Sequence, residues 1–372
     1  MKQLTVTYRI VTPLFLAGAD QQKAELRLPS IKGALRYWYR AIDRKYNQPT
    51  DKGKSLTFEE ELFGGSGANA GQARFLMRLE SNSLRSKPFI KKDPQLQGLD
   101  YLHFSIKPQR DHRTNTGKIR SYIEPDQTFT LKFLMKPTQE DLTRYWQALI
   151  SSIWLLGHLG GLGARSRRGF GTVALESWQI TGCPKGEKVL SQLPIAHQDQ
   201  VETAVEWMER FQLGLSTIKS WFGTPEADHP VIDHRSTFTI YPNLFTRWQE
   251  AMSKGAECLK TFRTDNRSRQ RRVALGLPMI SRIQRENRTI NIQYAPKGRK
   301  YERMASPVWL RVISIQDKYV PFFALLTTPK LEIAKKEDRQ NPTSFGTISV
   351  PDVLAQFKAY LSNCGFLQEV HR

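Results

Sequence analysis

The stretch Gly157–Gly171, G-H-L-G-G-L-G-A-R-S-R-R-G-F-G, constrains this chain more than any other. Beyond Gly157 it packs five glycines and three arginines into one short interval. Thr138 to Leu156 before it predicts a helix, because Leu142, Trp146, Leu149, Ile153 and Leu156 fall on one stripe. Thr138 is the expected N-cap, with Asp141 three residues on. Thr172 to Ile180 after it predicts a strand. The order is therefore helix, glycine loop, strand. A dinucleotide or P-loop cradle runs strand, loop, helix, so that a helix N-terminus meets the phosphates. Here the order is reversed and G-K-[ST] is absent. What remains is permissive backbone, exposed amides, and Arg165, Arg167 and Arg168 beside them. Such a surface suits an extended polyanion lying against main chain. The plainer alternative is a solvated surface loop.

Charge points the same way. The formal net charge is +21 over 372 residues. A globular chain this basic most often meets nucleic acid, with an anionic membrane surface the lesser option. A hydrophobic fraction of 39% predicts packed cores, and the length allows two domains. Cys183, Cys258 and Cys364 are far apart and have no zinc spacing, so no metal or other cofactor is expected. They read as core residues of a cytoplasmic protein. The N-terminus starts as a strand, with no signal peptide expected. The most apolar window, Ala148 to Ala164, is broken by His158 and glycines and is too short to span a bilayer.

Taken in order, Leu4 to Thr12 alternates like a strand. A helix follows from Pro29-Ser30 to about Arg44, with Ser30 as N-cap. Ile31, Leu35, Trp38 and Ile42 form its buried stripe. Lys32, Arg36 and Arg40 form a second stripe with no acid interleaved, read either as a wet face or as a phosphate contact. Ala73 to Glu80 is a strand. Ser81 to Asp126 is a polar, basic insertion, mobile in part, with a possible strand at Leu102 to Lys107. Gln127 to Lys136 is a strand leading into the helix and glycine loop. Gly182 to Pro194 is a linker, and Asp199 to Phe222 an amphipathic helix free to pack on either neighbour. Its expected face includes Val201, Val205, Met208, Phe211, Leu215, Ile218 and Phe222.

After Pro230 the pattern recurs: strand Val231–Tyr241, helix Leu244–Leu259, strands Pro307–Ile315 and Tyr319–Thr328, helix Val353–Leu361, and a short strand Phe366–Val370. The fold class expected is α+β: two tandem ferredoxin-like, RRM-like βαββαβ units with inserted basic loops. Their spans are residues 1–181 and 230–372, joined by a linker and helix over 182–229. Lys260 to Arg303 interrupts the second unit with thirteen cations against Asp265, Glu286 and Glu302. Arg269, Arg271, Arg272 and Arg303 are its candidate phosphate ligands. In the glycine loop the candidates are Gly160, Gly161, Gly163, Arg165, Arg167, Arg168, Gly169 and Gly171. Tyr37, Tyr39 and Phe170 are candidates for stacking on bases, with burial the competing fate of Tyr37.

Several of these stretches resemble the RAMP superfamily, and within it the first-numbered RAMP subunit of the type III-B CRISPR effector (Cmr) complex. They are Arg9–Asp20 (R-I-V-T-P-L-F-L-A-G-A-D), Leu28–Ala41 (L-P-S-I-K-G-A-L-R-Y-W-Y-R-A), Glu61–Gly65 (E-L-F-G-G) and Gly160–Gly171. In the second half, Ala274–Pro278 (A-L-G-L-P) and Arg303–Val312 (R-M-A-S-P-V-W-L-R-V) fit as well. The resemblance implies two ferredoxin-like RAMP folds in a ribonucleoprotein with guide RNA, target RNA and other RAMP subunits, and no membrane. It implies a place toward the guide's 3′ end in antiviral defence. Target cleavage in that family is ascribed to the repeated backbone subunit through a loop aspartate; Asp20 lies in a different motif context.

Some RAMP relatives cut guide precursor without metal, using His or Tyr as acid and base. Here His158 and His112 are the histidines to weigh. A lone His at a helix C-terminus is more often a cap. His229 and His234 flank Asp233 without a third ligand. The sequence therefore favours a non-catalytic RNA-binding subunit, with a metal-independent endoribonuclease as the alternative.

Overall fold

The computed structural model describes residues 2–49, 56–65, 71–80, 83–90, 93–106, 109–110, 117–137, 142–197, 201–223, 229–264, 269–276, 279–283, 288–294, 304–328, 331–337 and 343–368. Strands β1 (Gln3–Ile10), β2 (Phe75–Glu80), β3 (Gln127–Met135) and β4 (Val173–Thr181) form an antiparallel sheet in the order β2-β3-β1-β4. In β1 the residues alternate between half-buried and buried, as the period-two pattern requires. Its inward face is Leu4, Val6, Tyr8 and Ile10. Tyr8 stands opposite Phe129 of β3, with ring centroids 5.5 Å apart.

The helices that cover this sheet start where local chemistry allows. α1 (Leu28–Ile42) takes Arg27, not Ser30, as its N-cap, and Pro29 sits in the first turn. Proline has no N–H to lose there and its fixed φ suits the turn, so the helix begins earlier than Ser30 alone suggests. The expected stripe Ile31, Leu35, Trp38 and Ile42 is buried. α2 (Phe58–Phe63) carries a capping box: Glu60 N–H donates to the Thr57 hydroxyl at 3.2 Å, and Thr57 N–H donates to the Glu60 carboxylate at 3.0 Å. The T-x-x-E signature is in the sequence, yet that stretch reads there only as polar. α3 (Thr143–His158) joins β3 to β4 through the glycine loop. Thr138 and Asp141 lie outside the described residues.

The Ser81–Asp126 insertion packs into a core that it shares with the segment after β1 and with the glycine loop. Strand Ser86–Pro88 pairs with Ser121–Ile123, and Gln109–Arg110 with Gly117–Lys118. Leu102 is helical, not extended: Asp100–His103 is an α-turn followed by a 3₁₀ turn over Phe104–Ile106. Helical spacing lets Leu99, Leu102 and Ile106 bury together with Phe89 and Tyr122 against Phe15 and Phe170. The linker is likewise not bare, since Pro184–Leu190 is a helix.

α4 (Ala204–Phe222) is capped by Thr203, whose hydroxyl accepts from Glu206 N–H at 3.2 Å. It packs on both neighbours. Phe211 lies 5.5 Å from Trp154 of α3, and Trp207 lies 5.3 Å from Phe322 beyond. Val205, expected on the buried face, is 48% exposed. Trp207 takes the inward position instead.

The second sheet comprises β5 (Thr237–Ile240), β6 (Val308–Ile315), β7 (Lys318–Leu325) and β8 (Leu367–Gln368). Its order is β6-β7-β5-β8, all antiparallel: second, third, first, fourth, as in the first sheet. α5 (Trp248–Thr264) and α6 (Val350–Asn363) cover one face, and α4 the other. That is why β6 is buried along its whole length. A further four-stranded sheet was not anticipated from the sequence. It unites Met279–Ile283 and Arg288–Tyr294 with Leu331–Glu337 and Thr343–Ile348, on either side of β6 and β7. Its first hairpin lies inside the charge excess over 260–303, though each of its strands carries a single arginine and Thr289–Tyr294 alternates cleanly.

Candidate nucleic-acid interface

The glycine loop is closed on two sides by the protein itself. On one side lies the segment after β1. Gly171 N–H donates to Pro13 O at 2.9 Å and Ala164 N–H to Phe15 O at 2.8 Å. Gly163 has φ +78, and a Cβ on it would lie 2.4 Å from Phe15 O. Gly171 has φ +61, and a Cβ would lie 2.0 Å from Leu162 O. These two positions require glycine for both torsion and space. Gly160, Gly161, Gly169 and Gly171 are buried. Gly160 N–H donates to Leu155 O at 2.9 Å, Gly161 bridges to Thr172, and Gly169 O accepts from the Thr12 hydroxyl at 2.7 Å. The expectation of free amides is corrected at Gly160 and Gly171: the chain spends them internally.

On the other side lies β6. Arg311, 1% exposed, pushes its guanidinium into the loop and donates to the carbonyls of Gly157, Gly160 and Val173. Burial pushes Arg311 down to about 9. Leu310 N–H donates to Arg167 O at 3.2 Å, and Arg168 bridges to Leu310 in parallel sense. Arg168 donates to Leu275 O at 3.2 Å and, through burial first and then the repulsion of Arg263, falls to about 9. Arg167 lies over the rings of Trp309 at 4.7 Å and Tyr37 at 5.0 Å. Arg165 donates to Leu102 O at 2.7 Å. All three loop arginines thus meet other parts of the fold. A lone cation in the apolar run V-W-L-R-V-I-S-I was the available signal for Arg311.

The α1 stripe is partly neutralised. Glu59 of α2, 4% exposed, accepts from Arg36 at 2.6 Å and from Arg40 at 2.7 Å. No acid interleaves along α1, but one arrives from the next helix. Among the described residues no acid pairs with Lys32. Burial first, then repulsion by Arg36 and Lys136, lowers its pKa. This corner therefore carries unneutralised positive charge. Tyr39 and Phe170 are fully buried, and the Tyr39 hydroxyl donates to Asp43, so neither can stack on a base. Tyr37 is half-buried between Trp38 and Trp309.

In the basic segment, Arg271 donates to Gln356 of α6 at 3.2 Å and Arg272 to Arg263 O at 3.0 Å. Both hold the helix Arg269–Ala274 in place. Arg303 lies outside the described residues, as does the side chain of Arg269. So does His112.

His158 is fully buried. Its Nδ1 meets Trp154 O at 2.7 Å, its Nε2 accepts from Ala196 N–H at 3.0 Å, and its ring stacks on Trp154 at 4.0 Å. Burial and the neighbouring His197 hold it well below the usual range, so it is neutral with the proton on Nδ1. Both nitrogens are occupied within the fold. Among the described residues no cluster of His, Cys, Asp or Glu could hold a metal. None of their helices is long and apolar enough to cross a membrane.

One feature escaped the sequence reading. A cavity of about 310 Å³ lies against the loop's outer flank, walled by Phe15, Leu16, Gly163 and Ala164, with Arg120 and Ser121 from the insertion.

Residues 7–174 match the model of the RAMP superfamily. Over that span the chain is similar to the RAMP superfamily. The RAMP match ends just after the glycine loop. The chain is 28% identical over 181 residues to CRISPR system Cmr subunit Cmr1-2 of Pyrococcus furiosus, covering 45% of this chain and 91% of that protein. It is 31% identical over 167 residues to subunit Cmr1-1 of the same organism, covering 45% of each. The crystal structure of Cmr1 from Pyrococcus furiosus in its apo form has a similar fold, with a TM-score of 0.61 at 20% identity over 99% of this chain and 98% of that one. A chain of the type III-B Cmr-beta complex bound to cognate target RNA gives 0.56 at 15% identity over 97% and 99%. The RAMP resemblance read from the motifs is therefore matched by its relatives, and the shared fold extends through both halves.

Proposed function

We propose that this chain is a non-catalytic RNA-binding subunit of a type III-B CRISPR ribonucleoprotein. It would cap the complex toward the guide's 3′ end and help hold target RNA, in the cytoplasm. The observation that carries the reading is the repeated strand order, second-third-first-fourth, in two sheets whose shared fold covers nearly all of a Cmr1 chain. That order is the ferredoxin-like one, and it supports two such units over 1–181 and 230–372 with 182–229 between them.

Phosphate contact rests on the positive corner of Lys32, Arg36 and Arg40, with Lys136 beside them, and on Arg120 at the cavity rim. Arg165, Arg167, Arg271 and Arg272 are half-buried and add field, while their hydrogen bonds and ring contacts serve the fold; the buried guanidinium of Arg168 serves the fold. Backbone contacts of this kind bind without reading sequence. The buried, doubly bonded His158 argues against the endoribonuclease alternative.

A salt titration of RNA binding tests the reading. With about six phosphates neutralised, affinity falls roughly a thousandfold between 50 and 200 mM salt. A flat response overturns it. Purification from the native cells should bring down guide RNA and other RAMP subunits together.

A further inference from the structure

The second unit has no glycine loop, yet it holds a cavity of about 250 Å³ whose lining shares no residue with that loop. Its walls are Arg235 and the start of β5, the end of β7 with the residues after it, and the first three turns of α6. Three kinds of group converge there. Lys358 of α6 lines it and has no ion-pair partner among the described residues. Arg235 lines it too, steered by Asp233, which accepts from its Nε at 3.0 Å and from one terminal nitrogen at 2.7 Å. That leaves part of the guanidinium unspent, on a side chain 61% exposed. Thr328 is 1% exposed, and its hydroxyl has no hydrogen-bond partner among the described residues. The neighbouring Thr327 hydroxyl, by contrast, is spent on Asp233.

A buried hydroxyl left unpaired costs stability. Two cations and the positive end of a 14-residue helix beside it complement an anion. Asp352, in the same first turn, is exposed and lines no part of the cavity. Size narrows the choice. The cavity falls below the roughly 300 Å³ at which drug-sized pockets begin. It suits one phosphorylated sugar rather than a length of chain, and Leu354 gives it an apolar wall.

We propose that this cavity binds the phosphorylated ribose of a single ribonucleotide. Lys358 and Arg235 hold the phosphate, and the Thr328 hydroxyl bonds a ligand oxygen. The source is either an RNA end or a free nucleoside monophosphate. The inference does not depend on the RNA path through the first unit.

Calorimetric titration of the full chain with AMP, adenosine and inorganic phosphate tests it. The expected result is one AMP site, adenosine binding at least tenfold weaker, and a loss of at least fivefold for both Lys358→Gln and the isosteric Thr328→Val, with unchanged unfolding midpoints. Short RNAs with and without a terminal phosphate then compete against AMP. Displacement that needs the terminal phosphate identifies an RNA end, and displacement by neither identifies a free nucleotide. No binding of AMP, equal binding of adenosine, or AMP binding that survives both substitutions overturns the proposal. Salt-dependent RNA binding persisting alongside such a result would leave the subunit reading standing and remove only this site.

Discussion

The two sheets share a strand order but leave their second covering helix in opposite ways. After α3 the chain spends Leu159 to Thr172 on the glycine loop before entering β4. After α6 it turns within Cys364-Gly365-Phe366 and enters β8 at once. Both turns contain a glycine at positive φ just before the strand, Gly171 at +61 and Gly365 at +86. The long loop exists where another part of the chain fills it: Arg311 caps its carbonyls, and Leu310 pairs with its main chain. Among the described residues the short turn meets no such partner. The glycine loop is therefore a joint between the two sheets as well as a flank of the basic surface.

The strongest test exchanges the two glycines for alanine. At Gly365 a Cβ meets only Tyr241 at 3.5 Å, so Gly365→Ala should cost only the left-handed torsion, about 1–2 kcal/mol. At Gly171 the same torsion is joined by a clash with Leu162 O, main chain that cannot step aside. Gly171→Ala should cost about 4 kcal/mol or more. Urea unfolding of both variants measures the difference. Equal costs would mean that the loop yields and that the joint is soft.

The joint should also be acid-sensitive. Burial lowers the pKa of His158 well below its usual value and that of His197 to about 3, with the neighbouring His197 and Arg311 next in weight respectively. Below pH 6.5 the unfolded chain takes up protons that the folded chain refuses. Stability is therefore level above 6.5 and falls as pH drops toward the folded values. Each fully neutral imidazole costs about 1.4 kcal/mol per pH unit, or about 2 kcal/mol at pH 5. Unfolding free energies at pH 7.5 and 5 check this. A level profile would show water reaching these rings and the joint opening.

Much of this was legible beforehand, and the gaps have physical causes. Period-two alternation in β1 and helical spacing in α1 locate those elements because each buries one face. The repeated order of elements follows from the same signals. Arg36 and Arg40 read as free cations because Glu59 is remote in sequence, and no local pattern announces a pair closed by tertiary packing. The loop arginines misled in the same way: their composition signals a polyanion, while their geometry reaches Leu102, Leu275 and Trp309. The strands Met279–Ile283 and Arg288–Tyr294 carry one arginine each and the second alternates cleanly; what obscured them is the charge excess of the segment that surrounds them.

Cations that serve the joint and cations proposed for RNA can be told apart at the bench. Lys32→Ala with Arg40→Ala removes charge from the exposed corner and should weaken RNA binding roughly tenfold, about 1.4 kcal/mol, alike for unrelated sequences. Arg167→Ala with Arg168→Ala should act mainly on unfolding, since it strips contacts to Trp309 and Leu275. Filter binding and urea unfolding on both pairs decide. If the loop pair weakens RNA binding more than the α1 pair while unfolding stays unchanged, the loop is a contact surface first and a joint second.

The smallest expected effect falls on chemistry. His158 offers Nδ1–H to Trp154 O and accepts at Nε2 from Ala196 N–H. A glutamine has one donor and one acceptor group for the same two partners. His158→Gln should therefore halve the acid sensitivity of folding and leave single-turnover cleavage of target RNA by the assembled ribonucleoprotein unchanged. A fall in cleavage with assembly intact would place a proton-transfer role on a ring that is now enclosed. The joint would then have to open during turnover, and the contrast between the filled loop of the first unit and the bare turn of the second would become one of motion rather than of packing.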